Sequence, residues 1–229
     1  MMKKYSNIFL AVLILFSSFF LGIAAEQKST MEIPEGFTGI ISYGSLISVP
    51  SMEKTLGHKY EGPIHEVHLL GYERVWTCVR PFSKRSSTRK LNAYVLRGEK
   101  RVPILGAAEL NIYPKKTGKI NGVLYLITDE ELLSFDQRER GYQRVDVTDK
   151  IEEFSFVGGK VYVYEGLPGS PLNSSEEKGI YILIKEFFDM VNEACDSRGE
   201  DFRKEFDRTT RPCEYEVVPY ENIIWEKDN

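Results

Sequence analysis

Runs of β-branched and aromatic residues recur along this chain at 38–43, 65–72, 73–79, 91–96, 105–112, 121–127, 142–147 and 160–164. Short polar turns separate most of them. Many short strands with one well-signalled helix predict an α+β, mostly β fold whose sheet closes or nearly closes on itself. That helix is the segment after the strand at 121–127. Thr128 is a good N-cap, and Glu131 three residues on completes a capping-box pattern. Leu132, Leu133 and Phe135 are apolar among charges, and Gly141 is placed to stop the helix. Tyr142 to Val147 then alternates as a strand does.

Glu139 falls in the last turn of this predicted helix. A carboxylate there faces the negative end of the helix dipole, which raises its pKa. A glutamate so shifted is a competent general acid and base near neutral pH. The plainer alternative is a solvated charge at a charge-rich helix end. About ninety residues earlier, Tyr43-Gly44-Ser45-Leu46 ends the apolar run 37–42. A strand that ends in Gly and Ser can curl so that successive N–H groups point one way, a nest for carboxylate or phosphate. Gly44 allows the turn and a close ligand approach. An ordinary strand exit fits the same residues.

Together these segments resemble the gamma-glutamylcyclotransferase family, the AIG2-like and ChaC-like superfamily. The residues that carry the resemblance are Tyr43-Gly44-Ser45-Leu46, then Gly71-Tyr72-Glu73-Arg74-Val75-Trp76 and Gly122-Val123-Leu124-Tyr125-Leu126-Ile127-Thr128. The last is Leu132 through Arg144, where Asp136, Glu139, Tyr142 and Arg144 keep the family's spacing. The resemblance covers roughly residues 37–150. It implies a small mixed β-barrel with flanking helices and formation of 5-oxoproline from gamma-glutamyl peptides or amines. It also implies Glu139 as the residue that moves protons. The amides of Gly44, Ser45 and Leu46 would hold the gamma-glutamyl end, and Tyr43 would form a pocket wall. Tyr142 and Arg144 are further substrate contacts by the same resemblance. Arg144 is either a carboxylate clamp or a structural partner of Asp146 or Glu139. The chemistry needs no metal or organic cofactor. The alternative is a non-catalytic module that binds a small acid.

The 229 residues fit one domain at 37–229, preceded by a leader at 1–25 and a loose linker at 26–36. Lys3-Lys4, the uncharged apolar stretch from Ile8 to Ala25 and the small residues Gly22-Ile23-Ala24-Ala25 predict a signal peptide or, alternatively, an uncleaved anchor. Either predicts a domain carried through a membrane: periplasmic, secreted or in the secretory pathway. The formal charge is −4, which argues against nucleic acid as a partner. The expected partner is a small gamma-glutamyl substrate. Monomer and homodimer stay open.

The remaining signals concern structure. Cys78 is expected as a buried thiol, while Cys195 and Cys213 either pair or stay free. His65 and His68 are three apart on a strand, hence on opposite faces, and are read as non-ligands. Gly158-Gly159 predicts a hairpin between 154–157 and 160–164. Ile180, Leu183, Ile184, Phe187, Phe188 and Val191 predict a helix from Gly179 to Cys195, capped by Ser174 or Ser175. A short helix at 202–208 and an extended tail at 217–225 follow. Asn173-Ser174-Ser175 fits a glycosylation sequon, and the basic cluster from Lys84 to Lys90 reads as a solvated loop.

Overall fold

The computed structural model describes residues 28–77, 82, 91–166 and 179–227. The expectations for the leader, Cys78, the Lys84–Lys90 cluster, the Asn173 sequon and the Ser174 or Ser175 cap lie outside these residues. Among the described residues no helix is long and apolar enough to cross a membrane.

The described chain is α+β and mostly strand. Its strands are β1 (Ser29–Ile33), β2 (Phe37–Ser42), β3 (Ile64–Thr77), β4 (Leu91–Arg97), β5 (Lys100–Ala107), β6 (Glu109–Thr128), β7 (Tyr142–Asp146), β8 (Phe154–Gly158), β9 (Val161–Gly166), β10 (Ile180–Ile184), β11 (Glu216–Val218) and β12 (Ile224–Lys227). The helices are α1 (Val49–Leu56), α2 (Asp129–Arg138), α3 (Lys185–Asp196) and α4 (Glu200–Thr209). One five-stranded sheet has the order β3-β6-β2-β9-β7, a second β11-β10-β5-β4-β12, and β1 pairs with β8 alone. Hydrogen bonding therefore leaves each sheet open among the described residues, where a closed or nearly closed sheet was expected.

The main sheet is organised around β6. It pairs antiparallel with β3 along almost its whole length and with β2 on its other side. The β3–β6 register slips between Leu70 and Tyr72, where Gly71 takes φ 83°. A positive φ at such an irregularity suits glycine, which has no Cβ to oppose it. The predicted strands at 65–72 and 73–79 are thus one strand bent at Gly71. The second half of β6 is buried on both faces: Val123, Leu124, Tyr125 and Ile127 are 0–1% exposed. That explains why Gly122 to Ile127 reads as a continuous apolar run rather than alternating.

Three further expectations are corrected. The expected loose linker contains β1, which lies parallel to β8. β1 holds the place that the expected hairpin would have given to β9; β9 instead joins β2 in parallel and β7 antiparallel. The predicted long helix divides into β10 and α3, because the run Ile180-Tyr181-Ile182-Leu183-Ile184 pairs with β5 on one side and with β11 on the other. Of the two alternatives left open for Cys195 and Cys213, the structure has both as free thiols.

Helix α2 follows its sequence signals. Thr128 Oγ1 accepts from the Glu131 amide at 3.2 Å, and Glu131 Oε2 accepts from the Thr128 amide at 2.7 Å. Phe135, 1% exposed, locks the helix onto the main core; truncating such a ring costs about 3–5 kcal/mol. The C-terminal helix α4 is fixed by an ionic cluster around His68 on β3. His68 Nδ1 bonds Glu153, the His68 amide donates to Glu153 Oε2 at 2.9 Å, and Nε2 meets Glu205 of α4 at 2.8 Å. Glu152 completes a set of donor atoms close enough to hold a cation. Lys119 already pairs with Glu152, and Arg208 with Glu205. Three carboxylates thus face two side-chain cations and a protonated imidazole, which balances the charge within the protein.

The hydrogen bond to Glu153 lifts the His68 pKa to about 9, against the opposing effect of burial. The unfolded value is near 6.5, so the folded state binds the proton more tightly. The cluster's contribution is therefore complete below about pH 6.5 and is lost as pH rises through 9. Thermal midpoints measured from pH 6 to 10 should fall more steeply in the wild type than in His68→Gln. Parallel curves would remove His68 from the account.

Candidate functional site

A cavity of about 210 Å³ opens at the end of β2, lined by residues of the 43–46 turn together with Glu109, Arg138, Glu139, Tyr142, Tyr164 and Phe187. Of the residues singled out from sequence, Tyr43, Gly44, Ser45, Leu46, Glu139 and Tyr142 all line it. Arg144 does not. Its guanidinium donates to Asp136 Oδ2 at 2.8 Å and lies 4.9 Å from the Tyr162 ring centre. The Arg144 partner is thus Asp136, in place of Asp146 or Glu139, and one arm of its fork is occupied outside the cavity.

The turn is a single 3₁₀ segment, Ser45–Ile47, with Gly44 at its N-cap; the Ile47 amide donates to the Gly44 carbonyl at 2.9 Å. The first amides of such a turn have no acceptor within it. Gly44 packs tightly: a Cβ there would stand 3.3 Å from Leu110 Cβ. Tyr43 is a buried wall, as the resemblance implied. Its hydroxyl is committed to the protein, donating to the Tyr164 carbonyl at 2.7 Å. The Tyr164 hydroxyl in turn donates to Asp136 Oδ1 at 2.8 Å. Tyr142 donates through its hydroxyl to the Leu110 carbonyl at 2.9 Å and through its amide to the Glu139 carbonyl at 2.8 Å. It thereby ties the end of α2 to the start of β6.

Glu139 is the C-cap of α2. Its side chain is 15% exposed, and Arg138 Nε stands 3.0 Å from Oε1. Burial raises its pKa, Arg138 opposes the rise, and the charge of Glu109 adds to it. The direction matches the sequence expectation, but the leading cause is burial rather than the helix dipole.

Arg138 is the residue the sequence reading passed over. Nη1 donates to the Ser51 carbonyl at 2.9 Å and to Thr55 Oγ1 at 2.5 Å; Nη2 donates to Ser45 Oγ at 3.1 Å and Ser51 Oγ at 3.0 Å. One guanidinium therefore joins α1, the 43–46 turn and Glu139. Its only sequence signal was adjacency to Glu139. Helix α1 gave a weak signal too, Ser48 as N-cap before Pro50. Glu109, Tyr164 and Phe187 come from strands and a helix remote in sequence and carried no signal.

No protein-family model matches the chain, and no curated protein matches it in sequence. Several solved structures are similar to it. An uncharacterized protein from Homo sapiens shares 14% identity over 82% of this chain and 95% of that one, with a TM-score of 0.47. A gamma-glutamyl cyclotransferase shares 13% identity over 78% of this chain and 90% of its own, with a TM-score of 0.45. YkqA from Bacillus subtilis shares 16% identity over 76% of this chain and 54% of its own, with a TM-score of 0.47.

Proposed function

We propose that this chain is a gamma-glutamylcyclotransferase that converts gamma-glutamyl peptides or amines to 5-oxoproline and a free amine. The observation that carries the reading is that Glu139, its pKa raised by burial, shares one cavity with the Tyr43–Leu46 turn. The turn supplies amides for the substrate's α-carboxylate. The side-chain amide then lies toward Glu139, with the α-nitrogen free to fold back onto it. The α-nitrogen attacks the γ-carbonyl carbon, and Glu139 takes the proton that nitrogen sheds. The C–N bond to the leaving amine breaks as Glu139 returns that proton to it. No water is consumed. The reaction is intramolecular, so most of the protein's work is to hold the folded-back conformer, which proximity rewards strongly. Transfer to and from a positioned carboxylate supplies the rest. The apolar stretch from Ile8 to Ala25, read as a signal peptide or anchor, supports placing this activity outside the cytosol, on gamma-glutamyl compounds present there.

Glu139→Gln should leave the far-ultraviolet dichroism unchanged. It should lower 5-oxoproline release from glutathione, gamma-glutamyl-alanine and gamma-glutamyl-lysine by about 10²–10⁴-fold. A folded variant of undiminished rate would end the assignment. Arg138 gives a test with a sign. The working base is the carboxylate, so kcat/KM rises with pH as Glu139 loses its proton. Arg138 holds that pKa down; in Arg138→Gln the acidic limb should move to higher pH. If Arg138 acts only by bracing α1, the rate falls at every pH and the limb stays in place.

A further inference from the structure

Arg74 is the largest fully buried side chain, at 0% exposure. No carboxylate lies within ion-pairing distance of it among the described residues. A guanidinium taken out of water without a counter-ion is costly, and an apolar side chain of similar size usually serves packing as well or better. Burial drags its pKa down to about 9. Its contacts show what it does instead of packing. Nη1 donates to the Tyr43 carbonyl at 3.1 Å, and Nη2 to Asn121 Oδ1 at 2.6 Å and Thr209 Oγ1 at 3.1 Å. Its guanidinium carbon lies 3.9 Å from the ring centre of Phe206. Asn121 Nδ2 donates to the Phe202 carbonyl at 2.9 Å, and the Arg211 amide to the Arg74 carbonyl at 2.8 Å. Helix α4 thus cups the guanidinium on one side, and the Tyr43 carbonyl receives it on the other.

That carbonyl belongs to the peptide unit that enters the 43–46 turn. In a planar trans peptide the C=O of one residue and the N–H of the next point in opposite directions. The described chain has no cis bonds. Holding the Tyr43 carbonyl against Arg74 therefore aims the Gly44 N–H away from the buried guanidinium, and Gly44 lines the cavity. We propose that Arg74 is a positioning residue of this site: by fixing the Tyr43–Gly44 peptide it presents the Gly44 amide to the substrate's carboxylate. This inference rests on the cavity being the gamma-glutamyl site. It gives α4, which does not line the cavity, a role in binding.

The test compares wild type, Arg74→Lys and Thr209→Val, each as the purified full chain. Lysine keeps the charge but lacks the fork. Thr209→Val removes one acceptor and leaves Arg74 in place, so it remains informative if Arg74→Lys fails to fold. His68→Gln is the control: it loosens the hold of β3 on α4 through Glu205 but removes no contact of Arg74. Binding of 5-oxoproline is measured by calorimetry and turnover by KM and kcat. The expected result is a tenfold or greater loss of 5-oxoproline affinity and a matching rise in KM in Arg74→Lys, a smaller loss of the same kind in Thr209→Val, and kcat within about threefold. His68→Gln lowers only the thermal midpoint. Two results overturn the proposal and are distinguishable. Wild-type protein that neither binds nor releases 5-oxoproline removes the site reading itself. Folded Arg74→Lys and Thr209→Val proteins that bind as wild type does remove only the role of Arg74.

Discussion

The antiparallel register of β2 on β6 is the constraint on which the cavity depends. Phe37 faces Thr128 and Ser42 faces Val123. The strand that ends in the 43–46 turn and the strand that leads into α2 therefore finish at opposite ends of their shared ladder. Five steps of strand cover about 17 Å. Helix α2 has 10 residues and so spans about 15 Å. It runs back alongside the ladder for nearly the length of β2 and delivers Glu139 to the end where Ser42 gives way to Tyr43. The helix length is thus matched to the strand length. One residue inserted into α2 would advance its end by about 1.5 Å and turn it by roughly 100°, swinging the carboxylate out of the cavity. The capping box at Thr128 and the buried ring of Phe135 fix where that measure begins and how the helix is rotated.

Two arginines then hold the turn from opposite sides. Arg74 grips the Tyr43 carbonyl from the buried side, and Arg138 grips Ser45 Oγ from the exposed side. The two differ in kind. Among the described residues no carboxylate pairs with the buried Arg74, so any loss of its acceptors leaves an uncompensated charge in the interior, an expensive outcome. Arg138 is partly solvated, and each of its bonds is individually modest. Its importance lies in what it joins: the start of α1, the turn and the α2 cap. A backbone turn of three residues has little internal rigidity, and these external contacts supply it.

Much of this was legible in the sequence where a local rule and the tertiary environment agree. The Thr128–Glu131 capping box, the alternation of β7 and the Tyr43–Leu46 exit from β2 are of that kind. Expectations failed where a pattern satisfied two rules at once. Ile180, Leu183, Ile184 and Phe187 fall at helical spacing, yet the dense β-branched run of which three of them are part makes as good a strand, and an open edge of β5 decided for the strand. Gly158-Gly159 is a good hairpin turn, but hairpins form only if no other strand takes the partner, and β1 does. For Arg144 the sequence left a clamp and a structural ion pair open, because it shows a charge and not its neighbours; the partner is Asp136, eight residues back. Arg138 was invisible for the opposite reason, since its acceptors lie some ninety residues away. Long-range polar pairing leaves no periodic trace in a single chain.

The state of Glu139 follows from how Arg138 divides its donors. A guanidinium that met this carboxylate with both arms of its fork would form a bidentate pair and hold it ionised far below neutral pH. Both Nη groups are instead spent on Ser45, Ser51 and Thr55, and only Nε reaches Oε1. The pairing is single and its pull is limited. Burial and the charge of Glu109 push the other way and prevail. The result is a carboxyl group with one ion-pair contact and a proton affinity raised above that of an ordinary carboxylate. In the role proposed for Glu139, a base must both take a proton and return it, and it works best when neither transfer is steeply uphill. On this view the contacts that brace α1 and the turn also keep Arg138 from overstabilising the carboxylate, so that structural support and proton affinity are set by the same side chain.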